Sequence, residues 1–188
     1  MTNKELMLSG LPFIGGDDEL MEDKARARSI SNKYNSIDDC DKDCKAARKE
    51  VLKQLLGKCG DTIFVKPPFR CDYGYNISVG ENFFANFDCI LLDAGKITIG
   101  DNCMLGPHTC LLAVTHPKKP EDRKKGINIP GDITFGNNVW LGGNVTVLPG
   151  VNLGNNVVVG AGSVVTKSFP DNVVIAGNPA TIIENLEV

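Results

Sequence analysis

The two histidines, His108 and His116, are the side chains of this chain best suited to proton transfer. His116 lies in the sequence AVTHP at residues 113–117, where the following proline fixes the local backbone and disfavours a helix. A histidine in such a segment can act as a general base, because imidazole titrates near neutral pH. The alternative is a loop histidine that only hydrogen-bonds to the backbone. These residues alone do not separate the two interpretations.

Metal chemistry is disfavoured by the residue counts. A γ-type carbonic anhydrase needs three zinc-binding histidines, and this chain has two. Cys40 and Cys44 are spaced as metal ligands on a predicted helix, but no second ligand pair lies near them. We therefore expect no metal site. The seven cysteines are odd in number, and we expect them to be reduced thiols.

An apolar residue returns at every sixth position between residues 135 and 165: Phe135, Leu141, Val147, Leu153, Val159 and Val165. Neither an α-helix nor an open strand has a period of six, whereas hexapeptide repeats are typical of a parallel β-helix. Three hexads form one triangular coil, with each repeated aliphatic on a flat face and pointing inward. We expect the glycine or asparagine that follows each aliphatic to turn the corner.

The same phase continues upstream through Ile99, Leu105 and Leu111 and then breaks until Ile133. The interruption contains a polar, proline-rich stretch at residues 116–126 that cannot continue a coil. We expect a loop extruded from the solenoid over about residues 112–132, with His116 near its start. Long loops in compact domains are often functional.

The first sixty residues differ from the repeats and predict helices over residues 17–29 and 38–56. We therefore divide the chain into a helical segment at 1–60 and a β-helix domain at 61–188, with the helices capping the solenoid or contacting a neighbouring subunit. The residues expected to be buried on these helices are Leu20, Met21, Ala25, Val51, Leu52, Leu55 and Leu56.

Composition and charge exclude several classes of function. The net charge of −3 gives no reason to expect a nucleic-acid partner. No apolar run approaches the roughly 18 residues of a membrane span, and residues 1–10 lack the pattern of a secretory signal. We therefore expect a cytoplasmic protein.

Several motifs together resemble the maltose and galactoside O-acetyltransferases, a family of hexapeptide-repeat acyltransferases, with the maltose branch nearer. The resemblance covers almost the whole chain, since residues 10–28 also resemble that family's N-terminal segment. The motifs are residues 69–74 (FRCDYG), 82–88 (NFFANFD), 115–117 (THP), 136–142 (GNNVWLG), 160–167 (GAGSVVTK) and 172–180 (NVVIAGNPA).

This resemblance implies an all-β solenoid, a left-handed parallel β-helix, assembled as a homotrimer with active sites between subunits. It implies an acetyl-CoA-dependent transfer to a sugar hydroxyl, such as one of maltose, glucose or a galactoside, with no metal. His116 would be the general base, the acceptor oxygen would attack the acetyl carbonyl directly, and the N–H of Gly143 would stabilise the oxyanion.

The resemblance also implies the binding residues. The acceptor would be held by Asp72, Asn86 and Asp93, with Asp17 a weaker candidate. Ala161, Thr166 and Lys167 would contact coenzyme A, and Trp140 would flank the pocket. Each position has a purely structural alternative: a turn residue for the acceptor ligands, a solvated lysine for Lys167, and interface packing for Trp140.

Two positions depart from the family's usual sequence. Thr181 stands where an arginine usually follows Asn-Pro-Ala, and Ile127 stands where a glutamate commonly follows Lys-Gly. Two alternatives therefore stay open: an acetyltransferase for a non-sugar, xenobiotic hydroxyl, and a non-catalytic trimeric scaffold.

Overall fold

The computed structural model describes residues 1–38 and 40–187. Most of the chain from Lys58 onward winds into a left-handed parallel β-helix of triangular coils. Each of the three flat sides is a parallel sheet, here named face 1, face 2 and face 3 in the order in which a coil visits them. The first strand of the solenoid starts at Lys58.

The strands are numbered along the chain. Face 1 consists of β2 (Lys58–Cys59), β5 (Ile77–Val79), β8 (Ile97–Ile99), β13 (Ile133–Phe135) and β16 (Asn152–Leu153). Face 2 consists of β3 (Phe64–Val65), β6 (Phe84–Ala85), β9 (Met104–Leu105), β14 (Trp140–Leu141), β17 (Val158–Val159), β19 (Val173–Gly177) and the antiparallel β20 (Ala180–Asn185). Face 3 consists of β4 (Phe69–Cys71), β7 (Cys89–Leu92), β10 (Cys110–Leu112), β15 (Thr146–Val147) and β18 (Val164–Val165).

The hexapeptide period produces the core that the sequence predicts. All six repeated residues from Phe135 to Val165 are at most 2% exposed, and the positions four residues after the first five are equally buried. In-register parallel pairs such as Leu105 with Leu141 stack each aliphatic on its counterpart in the next coil. Burial of this continuous column is the main favourable contribution to stability.

The sequence predicts that the glycine or asparagine after each repeated aliphatic residue turns the corner of the coil. This prediction is wrong. Gly142 does not have a positive φ; instead, a Cβ there would lie 2.7 Å from the backbone nitrogen of Ala161 in the next coil. Glycine at this position allows the coils to approach closely. The left-handed corner residue comes two positions later, as at Asn144 with a φ of 58°, and asparagine tolerates this conformation better than other non-glycine residues.

The N-terminal helices are α1 (Asn3–Leu8), α2 (Asp18–Asn35) and α3 (Cys44–Leu55). Helix α2 is longer than predicted, and α3 starts later, so that Cys40 lies outside it. The expected burial of Met21 and Ala25 is wrong, because α2 turns a different stripe inward: Leu20, Ala27, Ser31 and Tyr34. The expected burial of Val51, Leu52, Leu55 and Leu56 is confirmed.

The segment between β10 and β13 leaves the solenoid, as predicted, but it is a regular structure. It contains β11 (Val114–Thr115), the short helix α4 (Pro120–Lys124) and β12 (Ile127–Pro130). β12 pairs antiparallel with β11 and also with β1 (Phe13–Ile14), which connects α1 to α2. This three-stranded sheet fastens the loop to the N-terminal segment. None of the helices described is long and apolar enough to cross a membrane.

Candidate active site

His116 directly follows β11, at the base of the extruded hairpin. Its Nδ1 atom lies 3.3 Å from the carbonyl oxygen of Ile127, the first residue of β12. A carbonyl oxygen can only accept a hydrogen bond, so this contact is a hydrogen bond only when Nδ1 carries the proton. In that tautomer Nε2 has a free lone pair. The hairpin pairing therefore selects the form of the ring that a general base requires.

A cavity of about 180 Å³ lies beside His116. Asp72 also lines it, so the structure brings the predicted base and one predicted acceptor ligand together. Burial raises the pKa of the Asp72 carboxyl, while the charges of Lys24 and Arg28 act in the opposite direction. The complete lining is Phe13, Lys24, Asp72, Tyr73, Leu92, Ala94, Val114, His116 and Asn128.

Asp93 is completely buried, and both of its carboxylate oxygens accept hydrogen bonds from the backbone. Oδ1 accepts from the N–H groups of Asp72 at 3.0 Å and Tyr73 at 2.8 Å, and Oδ2 accepts from the N–H of Asn76 at 3.3 Å. The predicted direct contact between Asp93 and an acceptor is therefore not available in this structure. Asp93 instead positions the turn that carries Asp72.

Asp17 stands at the N-terminus of α2, outside the lining of this cavity. Its Oδ2 accepts a hydrogen bond of 3.0 Å from the side-chain amide of Asn3. The same Asn3 side chain accepts from the N–H of Ile14 in β1. Asp17 thus helps to fix the strand that pairs with the extruded hairpin, and the structure gives it a local structural partner.

Three other predicted residues lie at the corner between face 2 and face 3, which we call the 2–3 corner. Asn86 follows β6, Gly143 follows β14, and Ala161 follows β17. The Asn86 side-chain oxygen accepts from the N–H of Phe87 at 2.9 Å, while Gly143 and Ala161 occupy equivalent positions in successive coils. Within one chain, face 3 separates this corner from the extruded hairpin.

Thr166 and Lys167 follow β18 at the next corner, between face 3 and face 1, and both are exposed. The Lys167 ammonium lies 5.6 Å from the ring centroid of Phe169. Trp140 points outward from face 2 and is 50% exposed. A single chain therefore does not gather all the predicted site residues into one pocket.

Residues 6–60 match the family profile described as the maltose acetyltransferase hexapeptide capping motif. Residues 132–167 match the bacterial transferase hexapeptide, a profile of six repeats. The galactoside O-acetyltransferase of Escherichia coli K12 is 37% identical over 186 residues, which cover 99% of this chain and 90% of that protein. This chain belongs to the maltose and galactoside O-acetyltransferase family.

Solved structures agree with this assignment. A maltose O-acetyltransferase from Clostridium difficile 630 superposes with a TM-score of 0.96 and 44% identity, covering 100% of this chain and 99% of the other. A galactoside acetyltransferase in complex with coenzyme A superposes with a TM-score of 0.94 and 36% identity, covering 100% and 92%. The predicted family and fold class are confirmed.

Sequence reasoning missed several members of the cavity of this O-acetyltransferase. Lys24 and Asn128 come from α2 and β12, which only the tertiary structure brings to Asp72. Tyr73 lies in a motif that the sequence did single out; its hydroxyl is buried without a hydrogen-bond partner among the described residues. Among residues 1–38 and 40–187, no group of three or more His, Cys, Asp or Glu side chains could hold a metal ion.

Proposed function

We propose that this protein transfers an acetyl group from acetyl-CoA to a hydroxyl of a sugar such as maltose, glucose or a galactoside. The observation that carries the proposal is the His116 ring, with Nδ1 at the Ile127 carbonyl, beside a cavity that also contains the Asp72 carboxylate. This arrangement offers one base and one hydroxyl-binding group in the same small space. Family membership supports the reaction type.

In the proposed reaction, Nε2 of His116 accepts the proton of the acceptor hydroxyl while that oxygen bonds to the thioester carbonyl carbon. The N–H of Gly143 donates a hydrogen bond to the oxygen that becomes negatively charged. When the carbon–sulfur bond breaks, the imidazolium returns the proton to the leaving sulfur. The products are the acetyl ester and free coenzyme A, with no acyl-enzyme.

An active site shared between subunits would reconcile this mechanism with the separation of the site residues in one chain. His116 and Asp72 lie on one side of face 3, whereas Asn86 and Gly143 lie at the 2–3 corner. If the 2–3 corner of one subunit faced the hairpin of the next, Asn86 would reach the acceptor and Gly143 the thioester. We therefore propose a homotrimer.

An exposed apolar column on face 2 supports this assembly. Phe64, Phe84, Met104 and Trp140 stand in register on four successive coils and point outward. Phe64, Met104 and Trp140 are 37%, 46% and 50% exposed. Contiguous exposed apolar surface of this kind often marks a protein interface. In the trimer Trp140 would be covered, at the edge of the reaction site.

We assign coenzyme A to the groove between neighbouring subunits, with Ala161 and Thr166 along its pantetheine and Lys167 near a phosphate. The solved galactoside acetyltransferase with bound coenzyme A supports the choice of ligand. Thr181 lies in β20 and carries no charge. Lys167 would then carry a larger part of phosphate recognition than in relatives that have an arginine at that position.

The experiment is thiol release from acetyl-CoA with maltose, glucose, a galactoside and chloramphenicol as acceptors. Wild type is compared with His116→Ala and with Thr134→Ala, a control at an exposed position of face 1. We expect turnover on a sugar in wild type and control, and its loss in His116→Ala. Turnover on chloramphenicol alone would overturn the sugar assignment. If wild type shows neither turnover nor binding of coenzyme A, the remaining interpretation is a non-catalytic scaffold.

A further inference from the structure

A second cavity, of about 220 Å³, lies between α2 and the first strand of face 3, β4. It is separate from the cavity beside His116, with which it shares no lining residue. Helix α2 contributes Arg28 and Asn32 to its wall, and β4 contributes Arg70. None of the reaction steps described above uses this cavity.

The charged side chains that line this cavity are both arginines, Arg28 and Arg70. No acidic side chain lines it. Among residues 1–38 and 40–187, the guanidinium groups of Arg28 and Arg70 form neither a hydrogen bond nor an ion pair. The Asn35 amide is occupied, since it donates to the Phe69 carbonyl and accepts from the Phe69 N–H. Two guanidinium groups therefore flank a concave site and form no ion pair there, although the charge of Arg28 also acts on the nearby Asp72 carboxyl.

We propose that this cavity binds an oxyanion of the phosphate class through Arg28 and Arg70. A guanidinium presents parallel N–H groups that match two oxygens of a phosphate, and two such groups at one small cavity favour a doubly charged ligand. The Asn32 amide can add a neutral donor from the same helix.

The position of this anion site connects it to the candidate active site. Cys71 lines the anion cavity, and its neighbour Asp72 lines the cavity beside His116. On α2, Lys24 lines the His116 cavity and Arg28 lines the anion cavity; four helical residues span about 6 Å. The anion is therefore either a free ion beside the reaction site or a charged substituent of the acceptor, the second case resting on the proposed function.

Binding is tested by calorimetric titration of inorganic phosphate into the full-length protein at constant ionic strength. Arg28→Gln and Arg70→Gln are compared with Lys33→Gln, which removes one charge from an exposed position of the same helix. We expect saturable binding that each arginine variant weakens about tenfold or more and that Lys33→Gln leaves unchanged. No saturable binding, or an equal loss in Lys33→Gln, overturns the proposal. Thermal melts verify that each variant is folded.

Kinetics distinguish the two sources of the anion. Acetylation of glucose and of glucose 6-phosphate is measured with each variant. A lower KM for the phosphorylated sugar, lost in both arginine variants while the KM for glucose stays constant, assigns the site to the acceptor. Equal KM values, with phosphate binding intact, assign it to a free anion. Phosphate binding without turnover on any sugar would overturn the proposed function and support the anion site.

Discussion

The carbonyl oxygen of Ile127 lies 3.3 Å from Nδ1 of His116, across the base of the extruded hairpin. The isoleucine side chain itself carries no charge and offers the ring no hydrogen-bond partner. The backbone carbonyl of the same residue nevertheless provides an acceptor for the ring. This carbonyl thereby orients the imidazole through the pairing of β11 and β12, whatever side chain stands at position 127.

The first prediction concerns His116→Asn. The asparagine amide can still donate to the Ile127 carbonyl, but it has no counterpart of Nε2. We therefore expect an unchanged melting temperature and a loss of kcat of about 10²- to 10⁴-fold. Parallel melts and thiol-release assays on His116→Asn and His116→Ala check this expectation. Comparable activity in His116→Asn and wild type would show that another group accepts the proton.

The second prediction concerns Asp72→Asn, which keeps the size of the side chain in the His116 cavity and removes its charge. We expect the KM for the sugar acceptor to rise about tenfold, because one charged hydrogen bond is replaced by a neutral one. The KM for acetyl-CoA should stay constant. Glu22→Gln, an exposed position on α2, is the matched control. An equal rise in both KM values would indicate a general structural effect.

The third prediction concerns the buried Asp93. Asp93→Asn keeps one acceptor oxygen but turns an amide toward an N–H donor, so one of the backbone hydrogen bonds to Asp72, Tyr73 or Asn76 is lost. We expect the free energy of unfolding at pH 4, where the contribution of Asp93 is complete, to fall by about 1–3 kcal/mol. Denaturant titration measures it. An unchanged value, with activity lost, would indicate a direct role in the reaction.

The same carboxyl predicts a pH dependence. Burial raises the pKa of Asp93 from 3.8 to about 6 in the folded protein. Between these values the native state binds more protons than the unfolded state, so the contribution of Asp93 to stability is complete below pH 4. It is lost as the pH rises through 6. Between about pH 4 and pH 6, the free energy of unfolding of wild type should fall by up to about 3 kcal/mol relative to that of Asp93→Asn.

The fourth prediction concerns the apolar column of face 2. Glutamate at Met104 or Trp140 would place a charge at the proposed interface, and a buried unpaired charge is costly. We expect sedimentation equilibrium to give about three times the 20.2 kDa of one chain for wild type and monomer for Trp140→Glu. Thr134→Glu, exposed on face 1, should remain trimeric. A monomeric wild type would contradict the shared active site.

The fifth prediction concerns Asn138, a corner residue with a φ of 60° whose amide donates to Asn156 at 2.8 Å. Asn138→Gly removes the side-chain hydrogen bonds that join Asn138 to corner asparagines of the neighbouring coils. We expect the free energy of unfolding to fall by about 1 kcal/mol. In Asn138→Ala the free energy of unfolding should fall by about 1 kcal/mol more, because a Cβ disfavours the left-handed conformation. Chemical denaturation of both variants separates the two effects. Equal stabilities would show that the backbone conformation costs nothing there.

The six-residue repeat was sufficient to predict the solenoid. Every coil repeats the same inward-facing positions, and each repeat contacts only its neighbours. The interruption after Leu111 was equally visible, since polar and proline residues cannot fill a core position. The corner glycines were misinterpreted. Their constraint comes from the backbone of the next coil, as at Gly142 and Ala161, and a single coil does not contain that contact.

The buried side of helix α2 also could not be predicted from the sequence alone. Which residues of α2 are buried depends on which side of the helix packs against β4. The amphipathic spacing predicts that Met21 is buried and does not indicate Tyr34, whereas the structure exposes Met21 and buries Tyr34. The Tyr34 hydroxyl donates to the Val65 carbonyl in the first coil, a partner 31 residues away. Amphipathic spacing on a charged helix does not specify such a contact.

The repeat, the extruded segment and the candidate base could be predicted from the sequence, because period, proline content and a Thr-His-Pro motif are local properties. The environment of each carboxylate and cation depends on how the chain packs. The tertiary structure buried Asp93 under three backbone donors and left Asp72 at a cavity. It brought Lys24 of α2 and Asn128 of β12 to that cavity and placed Arg28 and Arg70 at another. These relationships join residues far apart in the chain, and long-range packing alone sets their distances.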